Sequence, residues 1–270
     1  MKNLIKKFLI ILFVILTFFI IAHIDGILNK TTDIKFILIS ISYNIAWMIS
    51  ISCPIAALIL SVYHFKKNKI SNIIEDFKPV LVLTSALVII LTIHNLFILP
   101  EANFKYRKLY VKIIMLNNRV DRDIPDYYGS RRGERERNLF HFISEIKYTK
   151  MRIREFQNDA LNSKRKSQII ISLKRSLLQQ YIEIQKRIAI PFSCIVLSIL
   201  GTLIGYKFLR LHWAILEIIS VLIFLIFWGF LIWSENPLST QIIHSSFGIW
   251  LPNITIGAIS TLLLVIATKI

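Results

Sequence analysis

The side chains with the clearest potential for chemistry are His141 and Glu145, four residues apart in a segment with helical periodicity. That spacing would place both on one helix face, where they could form half of a metal or acid–base site. No second pair accompanies them, so an ordinary surface pair is the simpler interpretation. The sequence also contains no P-loop, HExxH, CxxC or GxSxG motif. We therefore predict no catalysis and no cofactor, and any chemical energy must come from another chain.

The composition is that of a membrane protein. Of the 270 residues, 55% are hydrophobic, and the mean hydropathy is +0.61, a balance typical of chains with several transmembrane helices. Three apolar segments precede a polar stretch and three follow it, each about long enough to cross a bilayer. We therefore predict an all-α polytopic membrane protein with six spans arranged three plus three. The spans are expected at 8–24, 36–65, 80–99, 188–209, 213–233 and 247–267.

The polar stretch between the two sets of spans, residues 101–187, is strongly basic. It holds 21 of the 33 Lys and Arg residues and 10 of the 16 Asp and Glu residues, for a net charge of +11. Such a surface attracts anions, and beside a membrane an anionic lipid is the expected partner. No base-stacking or reading-helix motif accompanies the charge, so nucleic acid is not expected. We treat residues 1–100 and 188–270 as the two membrane regions and residues 101–187 as a small external domain, called the insert below.

Within the insert, local patterns predict mostly helix. Residues 104–116 are β-branched and aromatic enough for a strand, or they continue the third span as a helix, so a few strands are an open alternative. Residues 117–137 are typical of a loop. Residues 138–158 and 169–187 have helical apolar stripes, and Asn138 is positioned to cap the first of these helices.

Several residues in and near the spans have specific structural expectations. Pro100 should close the third span. Asn44, His94 and Asn95 are polar groups at membrane depth, for which hydrogen bonds between helices are the expected role. Gly201 and Gly205 form a GxxxG pattern that permits close helix contact. Residues 64–79 form either a half-buried surface helix or a solvated turn.

The distribution of basic residues favours both termini in the cytoplasm. With that orientation the short cytoplasmic segments are rich in Lys and Arg, whereas the external short loops contain only Lys30 and Lys35. The insert would then be external. The reverse orientation, with a cytoplasmic insert, is the rival, because several of the insert's cations lie near span ends. The basic residues assigned to the cytoplasmic side are Lys2, Lys6, Lys7, Lys66, Lys67, Lys69, Lys78, Lys207, Arg210 and Lys269.

Four strings of the chain resemble motifs of one transporter family. They are LPEAN with Pro100 and Asn103, LFHFISEI at 139–146, the stretch 178–205 with Pro191 and Gly205, and WLPN with Trp250, Pro252 and Asn253. Their types and their order across the two halves resemble the LptF/LptG-type (YjgP/YjgQ) permeases of lipopolysaccharide export. We treat those motif residues as structural.

The resemblance implies a function and a set of partners. Members are multi-pass proteins of the bacterial inner membrane that pair with a second six-span subunit, a paralogue or another copy. A cytoplasmic ABC-type ATPase dimer drives them, and they pass lipopolysaccharide to a single-span periplasmic bridge protein. The first and fifth helices of the paired subunits act as lateral gates. The chain is accordingly expected to move lipopolysaccharide or a related anionic lipid from the inner toward the outer membrane.

Two pairs of residues receive candidate roles from this resemblance. Lys30 and Lys35 would meet the lipid head group, with ordinary interfacial anchoring as the alternative. Glu75 and Asp76 would supply the acidic contact with the ATPase. The insert is shorter than the family's jellyroll domain, and the 64–79 loop lacks the glycine of the family's coupling helix. The alternative function is a non-transporting membrane scaffold of the same fold, whose basic insert binds anionic lipid or a protein.

Overall fold

A computed structural model describes residues 2–29, 31, 33–67, 73–117, 134–158, 164–208, 211–234 and 248–269. Within these ranges the chain forms helices and short turns, without a strand, so the all-α prediction is confirmed. A π-helical turn, His94–Ile98, joins α3 to α4, and two short 3-10 turns lie at Glu134–Glu136 and Gly248–Trp250. The helices are α1 (Lys2–Leu28), α2 (Ile34–Lys67), α3 (Ile73–Ile93), α4 (Leu99–Asn117), α5 (Leu139–Asn158), α6 (Lys164–Lys207), α7 (Trp213–Ser234) and α8 (Leu251–Lys269).

Six helical stretches are long and apolar enough to cross a membrane. They are α1, α2, α3 with its continuation into α4, α6, α7, and α8 with the turn before it. Three precede the insert and three follow it, so the predicted arrangement of spans is confirmed.

The centre of the bundle is the pair α2 and α6. These two helices pack along each other, and α6 also contacts α3, α5 and α8. Leu58 and Leu197 are fully buried between them. The outer helices α1, α7 and α8 instead keep most of their apolar surface outside the chain. Such apolar outer surfaces suit hydrocarbon and are unsuited to water.

Glycines bring the two central helices close together. A β-carbon at Gly201 would lie 2.5 Å from the carbonyl oxygen of Leu58, and one at Gly205 would lie 2.6 Å from that of Val62. Both distances are far below ordinary van der Waals contact, so only glycine fits without a shift of the backbones. The predicted close helix contact is therefore confirmed.

The third span does not end at Pro100, contrary to prediction. The amide of Leu99 donates to the carbonyl of His94, five residues back, which forms the π turn. This wider turn precedes a proline that has no N–H to donate and whose ring would crowd the preceding turn of a regular helix.

Beyond Pro100 the chain continues as α4 to Asn117. The strand alternative for residues 104–116 is therefore wrong, and the helical one is confirmed. The span already provides a helical nucleus, so each added residue gains a hydrogen bond at little further cost, whatever its β propensity.

The insert contains α5, which the sequence predicts as a separate helix, and the first part of the longer helix α6. Asn138 caps α5, because its Oδ1 accepts the amide of His141 at 3.0 Å. Residues 169–187 and the fourth span are separate elements in the sequence-based prediction, but they form the single 44-residue helix α6. At 1.5 Å per residue α6 is about 66 Å long, roughly twice the hydrocarbon core. A substantial part of α6 therefore extends beyond that core.

Two further segments show how the predicted connections are built. Residues 64–67 belong to α2 and residues 73–79 to α3, so the described parts of the 64–79 loop extend the spans. Residues 68–72 and most of the predicted 117–137 loop lie outside the described residues.

Asn44 makes its expected contact between helices, with its Nδ2 atom 2.8 Å from Nε2 of His23 on α1.

The close packing of α2 against α6 predicts a selective effect of adding one methyl group. Gly201→Ala should lower the free energy of unfolding by about 1–3 kcal/mol, because the new β-carbon must push the α2 backbone away. The measurement is the thermal unfolding midpoint in detergent micelles. Gly229→Ala is the matched control, since a β-carbon there meets nothing within 4 Å. Equal midpoints for the two variants would contradict this packing.

Candidate functional site

His141 and Glu145 do not form a joint chemical site. The Nδ1 atom of His141 lies 2.6 Å from Oδ1 of Asn138, and Glu145 forms an ion pair with Arg137. Within the described ranges, no group of three or more His, Cys, Asp or Glu residues could hold a metal ion. Both side chains instead stabilise the start of α5.

A buried arginine lies where the insert meets the spans. Arg187 on α6 is only 3% exposed, and its guanidinium lies 4.9 Å from the ring centre of the fully buried Phe142. Its Nη1 donates to the carbonyl of Arg137 at 2.5 Å, and its Nε lies 3.4 Å from Oε1 of Glu183. A buried cation is costly unless it is paired and hydrogen-bonded. These contacts therefore hold α5 and the residues before it against α6.

The backbone of Arg187 is held from the other side by Asn95. Pro191 has no N–H, so the carbonyl of Arg187, four residues earlier, loses its regular helical donor. Asn95 Nδ2 donates to that carbonyl at 3.4 Å, and Asn95 Oδ1 accepts the hydroxyl of Ser50 at 2.6 Å. Asn95, which is 1% exposed, thus connects the π turn after α3 to both central helices. We call Arg187, Asn95, Pro191, Phe142 and Arg137 the Arg187 junction.

The predicted motif residue Asn103 attaches α4 to the same segment. Its Nδ2 donates to the carbonyl of Arg135 at 3.3 Å. One turn further along α4, Arg107 Nε lies 2.6 Å from Oε1 of Glu136. Residues 135–137 are therefore held by α4 on one side and by Arg187 on the other. Pro100, at the start of α4, is buried.

The last motif residues also meet α6 close to Pro191. Asn253 Nδ2 donates to the carbonyl of Ala189 at 2.9 Å, and the Trp250 ring lies 5.6 Å from the ring of Phe192. Asn253 and its neighbour Pro252 are both buried. The two motifs that contain Pro191 and Asn253 are thus brought into direct contact, although more than 60 residues separate them.

Lys35, predicted to bind lipid, and the pair Glu75 and Asp76, predicted to contact the ATPase, lie near opposite ends of the bundle. Lys35 is exposed at the start of α2, and its amide donates to Oδ1 of Asp33 at 2.9 Å. Lys30 lies outside the described residues. Glu75 is exposed at the start of α3. Asp76 is half-buried, and its backbone oxygen lies 3.3 Å from Nε2 of His64.

Sequence reasoning identifies Asn95 but gives Arg187 no structural role beyond that of a cation near a span end. The available signal was its position four residues before a proline within a helix, where the freed carbonyl requires a donor from another helix. The partner of the Arg187 side chain, a backbone carbonyl in the insert, has no signature in the sequence.

Comparison with known proteins identifies one family. Residues 133–265, about half of the chain, match the sequence model of the lipopolysaccharide export system permease LptF/LptG. The match begins just before α5 and ends within α8, so it includes Arg187, Pro191 and Asn253. No curated protein and no solved structure matches the chain.

The Arg187 junction predicts coupled effects of two substitutions. Asn95→Leu should destabilise the protein by about 1–3 kcal/mol, because it leaves the buried Arg187 carbonyl without a donor. In a Pro191→Ala background that carbonyl regains an N–H within its own helix. The Asn95→Leu penalty should then shrink by about 1 kcal/mol.

The measurement is a double-mutant cycle on unfolding free energies in a mild denaturing detergent. Asn103→Leu provides the control partner, since Asn103 donates to the carbonyl of Arg135 and not to that of Arg187. Its penalty should be the same with and without the Pro191→Ala substitution. Strictly additive penalties for Asn95→Leu and Pro191→Ala would show that Asn95 does not serve the carbonyl freed by the proline.

Proposed function

The chain belongs to the LptF/LptG family of lipopolysaccharide export permeases, and we propose that it is the membrane subunit of an ABC-type transporter. It is a multi-pass inner-membrane protein and a transporter component, not an enzyme. In the proposed complex it pairs with a second six-span subunit, a paralogue or another copy. A separate cytoplasmic ATPase dimer hydrolyses ATP. The cargo is lipopolysaccharide or a related anionic lipid that moves toward the outer membrane.

The observation that carries this proposal is the coincidence of the family match with the contact between its motifs. Pro191 and Asn253 both lie in the matched stretch, and Asn253 donates to the backbone just before Pro191. The difference in burial between the central and the outer helices supports the same function. A buried pair, α2 and α6, is surrounded by α1, α7 and α8, whose apolar faces are open. Such open faces suit a second subunit and a lipid that enters from the side.

For the lipid head group we propose a contact with Lys35, together with Lys30. Lys35 is exposed near the end of the bundle where the insert begins, and none of the described carboxylates forms an ion pair with its ammonium group. An ammonium at the membrane interface is suited to bind a lipid phosphate. This end faces the periplasm if both termini are cytoplasmic, as we propose from the distribution of short-loop charges. A single-span bridge protein would receive the lipid on that side.

For contact with the ATPase we propose Glu75, with Asp76 in a supporting role. Glu75 is exposed, whereas Asp76 is half-buried and close to His64. An exposed carboxylate can reach a partner without breaking a contact within the chain. Substitution of Glu75 should therefore affect only the contact with the ATPase, whereas substitution of Asp76 should also disturb contacts within the chain.

The proposed function is tested by purifying tagged protein from its native membrane in mild detergent and identifying its partners by mass spectrometry. The unaltered chain should bring down a cytoplasmic ATPase and a second six-span subunit. Glu75→Lys should reduce recovery of the ATPase about tenfold or more, because a misplaced charge at an interface costs several kcal/mol. Recovery of the second six-span subunit should not change.

Lys35→Glu is the matched control, because it reverses a charge near the opposite end of the bundle. It should retain the ATPase at the level of the unaltered chain. If intact, abundant protein brings down neither an ATPase nor a second subunit, the transporter function is wrong. If Glu75→Lys retains the ATPase, the coupling role of Glu75 is wrong while the transporter function stands.

A further inference from the structure

One face of α5, a helix that is not among the six candidate membrane spans, exposes large apolar side chains. Phe140, Ile143 and Met151 are 68%, 55% and 46% exposed. Together with Lys147 and Arg154 they follow one another at intervals of three or four residues, so they form a continuous stripe along the helix. We call these five residues the α5 stripe. Apolar groups of this size in water indicate an interaction surface.

The position of α5 follows from its contacts with α6. Phe142, near the start of α5, packs against Arg187, whereas Lys150, about two turns later, lies over the ring of Tyr181. The two helices are therefore antiparallel, and α5 extends along the part of α6 that precedes the span. That part of α6 contains Lys174, Arg175, Glu183 and Lys186, charges that do not belong in hydrocarbon. The α5 stripe consequently leads away from the membrane.

The end of the stripe nearest the membrane is continuous with the apolar surface of the spans. The ring of Phe140 lies 5.9 Å from that of Phe97, which belongs to the π turn of the third span and is itself 39% exposed. An acyl chain could therefore move from the side of the third span onto α5 without crossing a polar barrier. This continuity favours a ligand that comes from the bilayer.

The charge of the stripe favours an anionic ligand. Lys147 and Arg154 are exposed, and none of the described carboxylates forms an ion pair with either of them. A helix face that combines large apolar side chains with Lys and Arg is typical of surfaces that bind anionic lipids. The two kinds of side chain match the two parts of such a lipid, its acyl chains and its phosphates.

We propose that the α5 stripe is a binding track for an anionic lipid as it leaves the membrane. The inference rests on the proposed function, since the lipid is the one that the permease exports. Phe140, Ile143 and Met151 contact an acyl chain, and Lys147 and Arg154 contact phosphate. In this chain a helical surface of the insert thus receives the lipid first.

The test is site-specific photo-crosslinking of the full-length protein in nanodiscs of phosphatidylcholine. A benzophenone amino acid replaces Ile143 or Met151, and the probes are purified lipopolysaccharide micelles, phosphatidylglycerol vesicles and phosphatidylcholine vesicles. Illumination should yield adducts with the two anionic probes and few with phosphatidylcholine. The same amino acid at His141, which is exposed on α5 but away from the stripe, should yield few adducts with any of the three probes.

Charge reversal supplies the second arm of the test. Lys147→Glu with Arg154→Glu should reduce the anionic adducts by about 25-fold or more, since loss of each cation costs about fivefold and the new carboxylates repel the lipid. The matched control is Lys174→Glu with Arg175→Glu, which makes the same change in charge on an exposed part of α6. That control should retain the adducts.

Three results would overturn the proposal. They are adducts with a protein or a second copy of the chain in place of lipid, adducts without preference for anionic probes, and equal losses in the two charge-reversed variants. Failure here is distinguishable from failure of the transporter function. If the ATPase and second subunit are recovered but the stripe yields no lipid adduct, only the track is wrong. If the stripe yields anionic adducts but no ATPase is recovered, the transporter function is wrong and the lipid surface stands.

Discussion

The buried Arg187 and the backbone around it constrain most of the structure. Its guanidinium must be paired, because an unpaired buried cation costs several kcal/mol, and the pairing groups come from α6 and from the segment before α5. Its carbonyl must find a donor because Pro191 cannot provide one, and Asn95 supplies it from the third span. Arg187 therefore attaches the segment before α5 to the spans, and Asn103 and Arg107 on α4 hold the same segment from the other side. Through Asn95, the backbone of Arg187 on α6 is also connected to the third span and to α2.

This arrangement separates the bundle into a fixed centre and a more open periphery. Glycines hold α6 against α2, and Asn95 and Asn253 add polar contacts to α6 from the third and sixth spans. The first, third, fifth and sixth spans all have far less of their surface buried within the chain than α2 and α6 have. A transporter that admits lipid from the side needs exposed outer helices that are supported by a tightly packed centre.

The sequence was sufficient for the six spans, the helix at α5 with its Asn138 cap and the close approach at Gly201, because each depends on local residue types or on length. It was misleading at Pro100, since a proline usually ends a helix and the π turn that accommodates it has no clear sequence pattern. It left residues 104–116 undecided between strand and helix, because β-branched residues adopt either structure according to what precedes them. The role of the Arg187 side chain was not predictable, since its main partner is a backbone carbonyl that only the fold brings near. The proposed roles of Lys35 and Glu75 remain predictions drawn from family resemblance and exposure.

Hydrogen–deuterium exchange of the full-length protein in detergent shows directly whether Arg187 holds the insert on the spans. With Arg187→Met the amides of residues 139–158 should exchange about tenfold faster or more, because losing the buried contacts makes local opening of α5 easier. The amides of α2 should exchange at unchanged rates. Arg175→Met, an exposed change on the same helix, should leave both regions as they are. Unchanged exchange in α5 after Arg187→Met would mean that α5 is held on α6 without the arginine and that Arg187 does not attach the insert to the spans.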